Sequence, residues 1–159
     1  MKSIIDVNMD LACSMSAISH GKRLQVGAVL VTANDVVLRG VNGLPKPLGN
    51  ELEGGVTTGD DSNGIASLVT KPTVIHAELN CILKAAREGV IVVGSTLFVT
   101  HSPCQACASM LVAAGVAKVY YHQDYRDTEG VKVLKMCGVE VVQLDRMSDG
   151  LWKINGEEG

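Results

Sequence analysis

Apolar residues near the start of the chain recur at helical spacing: Ile4, Val7, Leu11, Met15 and Ile18. This predicts a helix to about Ser19, opened by a Ser3/Asp6 capping box and ended by Gly21. The pattern then tightens into an unbroken run, Val26-Gly27-Ala28-Val29-Leu30-Val31, which reads as a buried strand. Asn34-Asp35 turns the chain into a second strand, Val36 to Val41, and the two are expected to pair as an antiparallel hairpin. From Asn42 to Thr73 the periodicity stops. Pro45, Pro47, Gly49, Gly54, Gly55, Gly59 and Gly64 interrupt any regular element, and Asp60-Asp61-Ser62-Asn63 add turn chemistry. A long loop over 43–73 is predicted. Loops of that length in a compact domain usually carry function, so it reads as an active-site wall or a subunit contact.

Beyond the loop, helical and strand patterns alternate. A helix is expected from about Ile75 to Glu88, with Ala77, Cys81, Ile82 and Ala85 on one face. Strands follow at Leu97–Thr100, Lys118–His122 and Val139–Leu144. They are separated by helices at Cys104–Ala114, closed by Gly115, and Thr128–Met136, closed by Gly138. Strands joined by single helices read as parallel βαβ units. The expected architecture is α/β: one domain over residues 1–159, a three-layer α/β/α sandwich on a mixed five-stranded sheet. The tail 145–159 is polar except for Leu151, Trp152 and Ile154, which can dock on the body.

Composition narrows the function classes. The chain is 47% hydrophobic with net charge −3 and no run of like charge. A broad nucleic-acid footprint or an anionic membrane partner is therefore not expected, while a compact basic pocket for one phosphate is compatible. No apolar run is long enough to span a bilayer, and the N-terminus lacks the apolar core of a signal peptide, which points to the cytoplasm. There are five cysteines. Cys104 and Cys107 have metal-ligand spacing; Cys13, Cys81 and Cys137 read as small buried hydrophobes in a reduced compartment.

The chemistry concentrates in His76-Ala77-Glu78 and Pro103-Cys104-Gln105-Ala106-Cys107. Both groups fall at predicted helix starts, where free N–H groups favour thiolates over thiols and Pro103 suits a first helical turn. One imidazole and two thiolates neutralise Zn²⁺. Three protein ligands leave a place for water, whose pKa falls from about 16 to roughly 7 on the metal. Glu78 is then the candidate general base. A closed structural zinc site would need a fourth ligand, and the candidates are His101, His122 and Cys81. H-x-E combined with P-C-x-x-C is the signature of zinc-dependent nucleobase deaminases, in which the Glu is not a ligand.

At these residues the chain resembles the cytidine deaminase-like superfamily, and within it the deoxycytidylate (dCMP) deaminases. The match runs from roughly Ser19 to Leu144. It includes Arg23-Leu24-Gln25-Val26-Gly27-Ala28, Gly40-Val41-Asn42-Gly43, His76-Ala77-Glu78-Leu79-Asn80, Val99 to Ala108 around the cysteines, and Asp124-Tyr125. The zinc motif marks the superfamily; Asn42-Gly43, Asn80 and Tyr125 point to the dCMP branch. The resemblance implies hydrolysis of dCMP to dUMP and ammonia, a step that supplies dTTP synthesis, with Glu78 passing protons to the ring N3 and then to the leaving amine. It implies substrate contacts from the Asn42 amide, the Ala77 N–H, the Ser102 carbonyl, Tyr125 and Asn80. Ser19, Lys22 and Arg23 would lie at the 5′-phosphate, with Arg126 a second candidate.

Family members often carry a second, structural zinc in the central insertion, but Gly49 to Val74 holds neither Cys nor His. One zinc per chain is expected. The resemblance also implies a homo-oligomer, hexameric in many relatives, with dCTP and dTTP as effectors. Pro45, Pro47 and Ile18, which stands where relatives often have Arg, depart from the effector-binding pattern. The competing readings are a deaminase of another small substrate (5-substituted dCMP, cytidine, deoxycytidine, guanine or a pterin), a tRNA adenosine deaminase, and a non-enzymatic zinc module.

Overall fold

The computed structural model describes residues 1–56 and 67–156. Its centre is a six-stranded mixed sheet. Helix α1 (Ile4–Ser16) leads to the hairpin β1 (Gly27–Val31) and β2 (Val37–Val41), paired antiparallel as expected. A second hairpin, β3 (Glu53–Val56) with β4 (Ser67–Thr70), stands apart from the sheet. Helix α2 (Ala77–Glu88) and strand β5 (Thr96–His101) follow. Then come α3 (Gln105–Ala113), β6 (Lys118–Gln123), α4 (Glu129–Met136), β7 (Glu140–Arg146) and β8 (Trp152–Ile154). The strand order is β2-β1-β5-β6-β7-β8. β5, β6 and β7 run parallel, as the single helices between them require, and the remaining neighbours are antiparallel.

The strand alternation separates two cores. Ala28, Leu30, Leu97, Val99 and Val119 face α2, α3 and α4, where they meet Ala77, Cys81, Ala108, Leu111 and Leu134. Val29, Phe98 and Tyr120 point the other way, onto Met9 and Ala12 of α1. Period-two patterning on these strands thus builds the three layers directly. No helix among the described residues is long and apolar enough to cross a membrane.

Four sequence expectations change. The sheet has six strands rather than five, because the tail supplies β8 against β7. Three residues between breakers are too short to register as a strand; their partners create it. The segment 43–73 is not one irregular loop: it contains a 3₁₀ turn at Lys46–Leu48 and the β3–β4 hairpin. Gly54-Gly55 has poor strand propensity, so pairing with Leu68 and Val69 decides the matter. The breakers and turn residues expected at 59–64 lie outside the described residues. Helix α1 stops at Ser16, and Ile18 is exposed, because the chain leaves in two tight turns, Ile18 N–H to Met15 O and Ser19 N–H to Ser16 O. Finally, Cys81 is buried and Cys13 half-buried, but Cys137 is exposed, since it terminates α4 just before the left-handed Gly138.

The capping box of α1 does more than start a helix. Asp6 Oδ2 accepts from the Ser3 N–H and hydroxyl, both at 2.6 Å, while Oδ1 accepts from Trp152 N–H at 2.8 Å. The indole Nε1 donates to Asp10 at 2.9 Å. These bonds fasten the last strand to the first helix. The Ser3 hydroxyl, then the Trp152 N–H, holds the Asp6 carboxyl below the usual range. A depressed folded pKa stabilises the fold above the unfolded value, and that contribution is lost as pH falls through the folded one. Asp6→Asn is therefore expected to be less stable than the parent at pH 7, with the difference shrinking below about pH 4. Urea titrations at the two pH values measure this; a gap of the same size at both would show that the carboxylate charge plays no part.

Candidate active site and metal centre

Two helix N-termini meet to make the site. His76 is the N-cap of α2, so Ala77 and Glu78 are its first two helical residues. Cys104 is the N-cap of α3, one position later than the sequence suggests, with Pro103 outside the helix. Cys107 is then the third helical residue, and its N–H approaches Cys104 Sγ at 3.5 Å. Each half rests on a glycine that leaves no room for a side chain. A Cβ on Gly40 of β2 would lie 2.2 Å from Ala77 O and 2.9 Å from Cys81 Sγ. A Cβ on Gly130 of α4 would lie 1.9 Å from Pro103 O. The backbone contact at Gly40 sets the height of His76 and Glu78, and that at Gly130 the height of Cys104.

His76 Nδ1 lies 3.6 Å from Cys104 Sγ and 3.4 Å from Cys107 Sγ, and the three donor atoms fall within 4.8 Å of one another. For zinc with Zn–N near 2.05 Å and Zn–S near 2.3 Å, a tetrahedral angle gives an N···S edge of about 3.55 Å. Both N···S edges thus match those of a zinc tetrahedron. Among the described residues this is the one group of ligand-type side chains close enough to hold an ion. The candidate fourth ligands are all engaged elsewhere. Cys81 Sγ faces Ala28 O and Leu38 O, His101 Nδ1 faces Thr100 Oγ1 at 3.0 Å, and His122 Nδ1 faces Leu144 O at 2.8 Å.

The charges of the cluster call for a cation. Contact with the Cys107 thiol, and then with His76, pulls the Cys104 thiol down to about 3. The resulting thiolate, with burial, pushes the Cys107 thiol far up. Without a metal the pair therefore shares one negative charge, and the adjacent thiolate raises His76. A divalent ion removes that conflict by accepting both thiolates. Glu78 is 4% exposed, and burial raises its carboxyl above the ordinary range. A buried carboxyl group beside the metal position, and outside the ligand set, is placed to accept and release a proton.

The site opens into a cavity of about 900 Å³. His76, Ala77, Glu78 and Cys104 line its floor, with Asn42, Ser102, Tyr125, Arg126 and Arg23 on its walls. The Ala77 N–H is one of the helix-start donors that have no intrahelical acceptor. Ser102 Oγ accepts from the Tyr125 N–H at 2.7 Å, fixing the turn that carries Tyr125, and the Arg126 guanidinium lies 5.4 Å from the Tyr125 ring centre. Asn42 Oδ1 accepts from Ser19 Oγ (2.6 Å) and Val26 N–H (2.9 Å), and Nδ2 donates to Leu24 O (2.8 Å). Among the described residues one amide N–H remains without an acceptor.

Three of the expected substrate residues do not line the cavity. Asn80 ties α2 to the sheet through Val41 O at 2.6 Å. Ser19 is buried behind Asn42, which it holds in place. The backbone N–H of Lys22 is bound by Glu53 at 2.9 Å, and its side chain lines no part of the cavity. Conversely, Leu52, Glu53, Thr70, Lys71 and His101 line the wall without having been assigned a place there. Their one sequence signal is membership of, or nearness to, segments expected to border the site.

Residues 3–123 match the family described as the cytidine and deoxycytidylate deaminase zinc-binding region. The chain belongs to this family of zinc-dependent deaminases, and His76, Cys104 and Cys107 form its zinc-binding cluster. It is 35% identical over 136 residues to deoxycytidylate deaminase of Saccharomyces cerevisiae, covering 85% of this chain but only 43% of that protein. It is 35% identical over 128 residues to ComE operon protein 2 of Bacillus subtilis, covering 79% of this chain and 64% of that one. The crystal structure of dCMP deaminase from the cyanophage S-TIM5 in complex with dCMP and dUMP is similar at TM-score 0.72 and 40% identity, over 90% of this chain and 98% of that one.

Gly40→Ala and Gly130→Ala are expected to destabilise the fold by about 1–3 kcal/mol each through overpacking and to weaken zinc binding. Gly43→Ala, whose Cβ would meet nothing within 4 Å, is the control. Chelator competition and urea unfolding measure both effects; parental zinc affinity in the first two variants would remove the glycines from the site's support. Elemental analysis of the parent should give one zinc per chain, and a reproducible value near two would overturn the single-site expectation.

Proposed function

We propose that the protein hydrolyses the 4-amino group of a cytosine deoxynucleotide, converting dCMP and water to dUMP and ammonia. The observation that carries this reading is Glu78: a buried carboxyl group, outside the ligand set, at the floor of a nucleotide-sized cavity with cations on its walls. A structural zinc site has no use for such a group. Similarity to the cyanophage enzyme, whose crystal structure holds dCMP and dUMP, supports the choice of substrate.

When bound, zinc supplies Lewis acidity that makes water nucleophilic near neutral pH. Glu78 accepts the proton of the attacking water, delivers it to the ring N3, and carries the second proton to the departing amine. The Ala77 N–H donates to the base O2, and the Ser102 carbonyl accepts from the amine. Together they fix the ring face against the metal. Arg23, Lys71 and Arg126 are the wall cations available to a 5′-phosphate; among them Arg23 is braced by Thr70 Oγ1 at 3.2 Å. A homo-oligomer belongs to the same reading, supported by exposed apolar side chains on α1 (Ile4, Val7) and around α3 (Ile91, Val93, Met110).

Steady-state rates on dCMP, deoxycytidine, CMP and 5-methyl-dCMP test the substrate. dCMP should lead deoxycytidine by a wide margin, and equal turnover of the two would sink the monophosphate assignment. Glu78→Gln should keep zinc and fold while losing about 10²–10⁴ in kcat. Undiminished activity in that variant would remove Glu78 from the chemistry.

A further inference from the structure

We propose that the Ser102 side chain is a positioning group: its hydroxyl takes a backbone donor that would otherwise occupy the Ser102 carbonyl, and so keeps that carbonyl available to the 4-amino group of the base. This rests on the cytosine deoxynucleotide reading. β5 and β6 pair in parallel with His101 opposite Gln123, and the last rung of their ladder runs from Ser102 N–H to Gln123 O at 2.9 Å. Bonded residues alternate along a parallel strand, so the next rung would run from Tyr125 N–H to Ser102 O. That rung does not form. Tyr125 N–H donates instead to Ser102 Oγ, at 2.7 Å. Among the described residues nothing donates to the Ser102 carbonyl.

The substitution of one acceptor for another matters because of where Ser102 sits. It is 3% exposed, it lines the catalytic cavity, and it lies between the end of β5 and the Cys104 N-cap of α3. Buried backbone carbonyls are ordinarily paired, so one left open on a cavity wall is an acceptor waiting for a ligand donor. The 4-amino group of cytosine donates, whereas the C4 carbonyl of the uracil product only accepts. The open carbonyl therefore favours substrate over product. Of the backbone N–H groups from 124 to 127, that of Tyr125 is the one with an acceptor among the described residues. Without the hydroxyl it must find another, and the ladder offers Ser102 O. Alanine at this position would thus restore the missing rung and occupy the acceptor that the amine needs.

The test compares kcat/KM for dCMP with the inhibition constant of dUMP, in the zinc-loaded parent and in Ser102→Ala. In the variant kcat/KM should fall by about 10- to 100-fold, while dUMP should bind within about threefold of the parent or more tightly. Zinc content and melting temperature should stay close to parental, because the Tyr125 N–H keeps a partner. Undiminished kcat/KM in Ser102→Ala overturns the proposal. So does a loss of dUMP binding in step with the loss of turnover, which would mark general damage to the cavity. A variant that fails to fold or to hold zinc overturns it too, since the carbonyl would then not have taken over the donor. Absence of dCMP turnover by the parent overturns the nucleotide reading itself, and this proposal with it.

Discussion

Two thiols, an imidazole and a buried carboxyl group crowded at one point cannot all take their functional charge states without a cation among them. Much of the architecture follows from that requirement. Cys104 ionises easily, and its charge then suppresses ionisation of Cys107, while burial raises the Glu78 carboxyl above its ordinary range. Zinc resolves the competition between the sulfurs. The two helix N-termini contribute partial positive charge from either side. The fold brings them together by pressing α2 onto Gly40 and the turn before α3 onto Gly130. Both approaches use backbone in place of side chain, which gives the donors a rigid seat.

Around this seat the cavity is assembled from pieces far apart in the sequence. The βαβ half supplies Ser102, Tyr125 and Arg126; the N-terminal half supplies Arg23 and Asn42. The β3–β4 hairpin closes the wall with Leu52, Glu53, Thr70 and Lys71. The 22–26 segment couples these parts, since Asn42, Ser19 and Glu53 all hold it or one another. Two residues expected at the substrate are engaged in bracing the fold. Ser19 orients Asn42, and Asn80 pins α2 to β2.

Much of the scaffold was visible beforehand because its signals are local. Helical period, the Ser3/Asp6 capping box, glycines after α3 and α4, and the β1–β2 turn each act over a few residues. The H-x-E and P-C-x-x-C groups were equally plain, because metal coordination restricts residue type and spacing so tightly. Strand β8 was missed for the opposite reason: it exists through β7 and through an Asp6–Trp152 bond spanning nearly the whole chain. The β3–β4 hairpin was missed because Gly54 and Gly55 carry no strand preference of their own.

By itself, then, the sequence determined the layers of the sandwich, the zinc donors and the carboxyl group proposed to carry the proton, all consequences of local periodicity and ligand chemistry. Only the tertiary structure decided which neighbouring polar groups face the cavity and which are spent on the fold. Hydrogen-bonding capacity is a property of side chains, but its availability depends on what each side chain already holds. Among the described residues Asn42 keeps one donor, and Asn80 is committed to Val41 O. Glu53, silent in the sequence, keeps one buried oxygen free among the described residues.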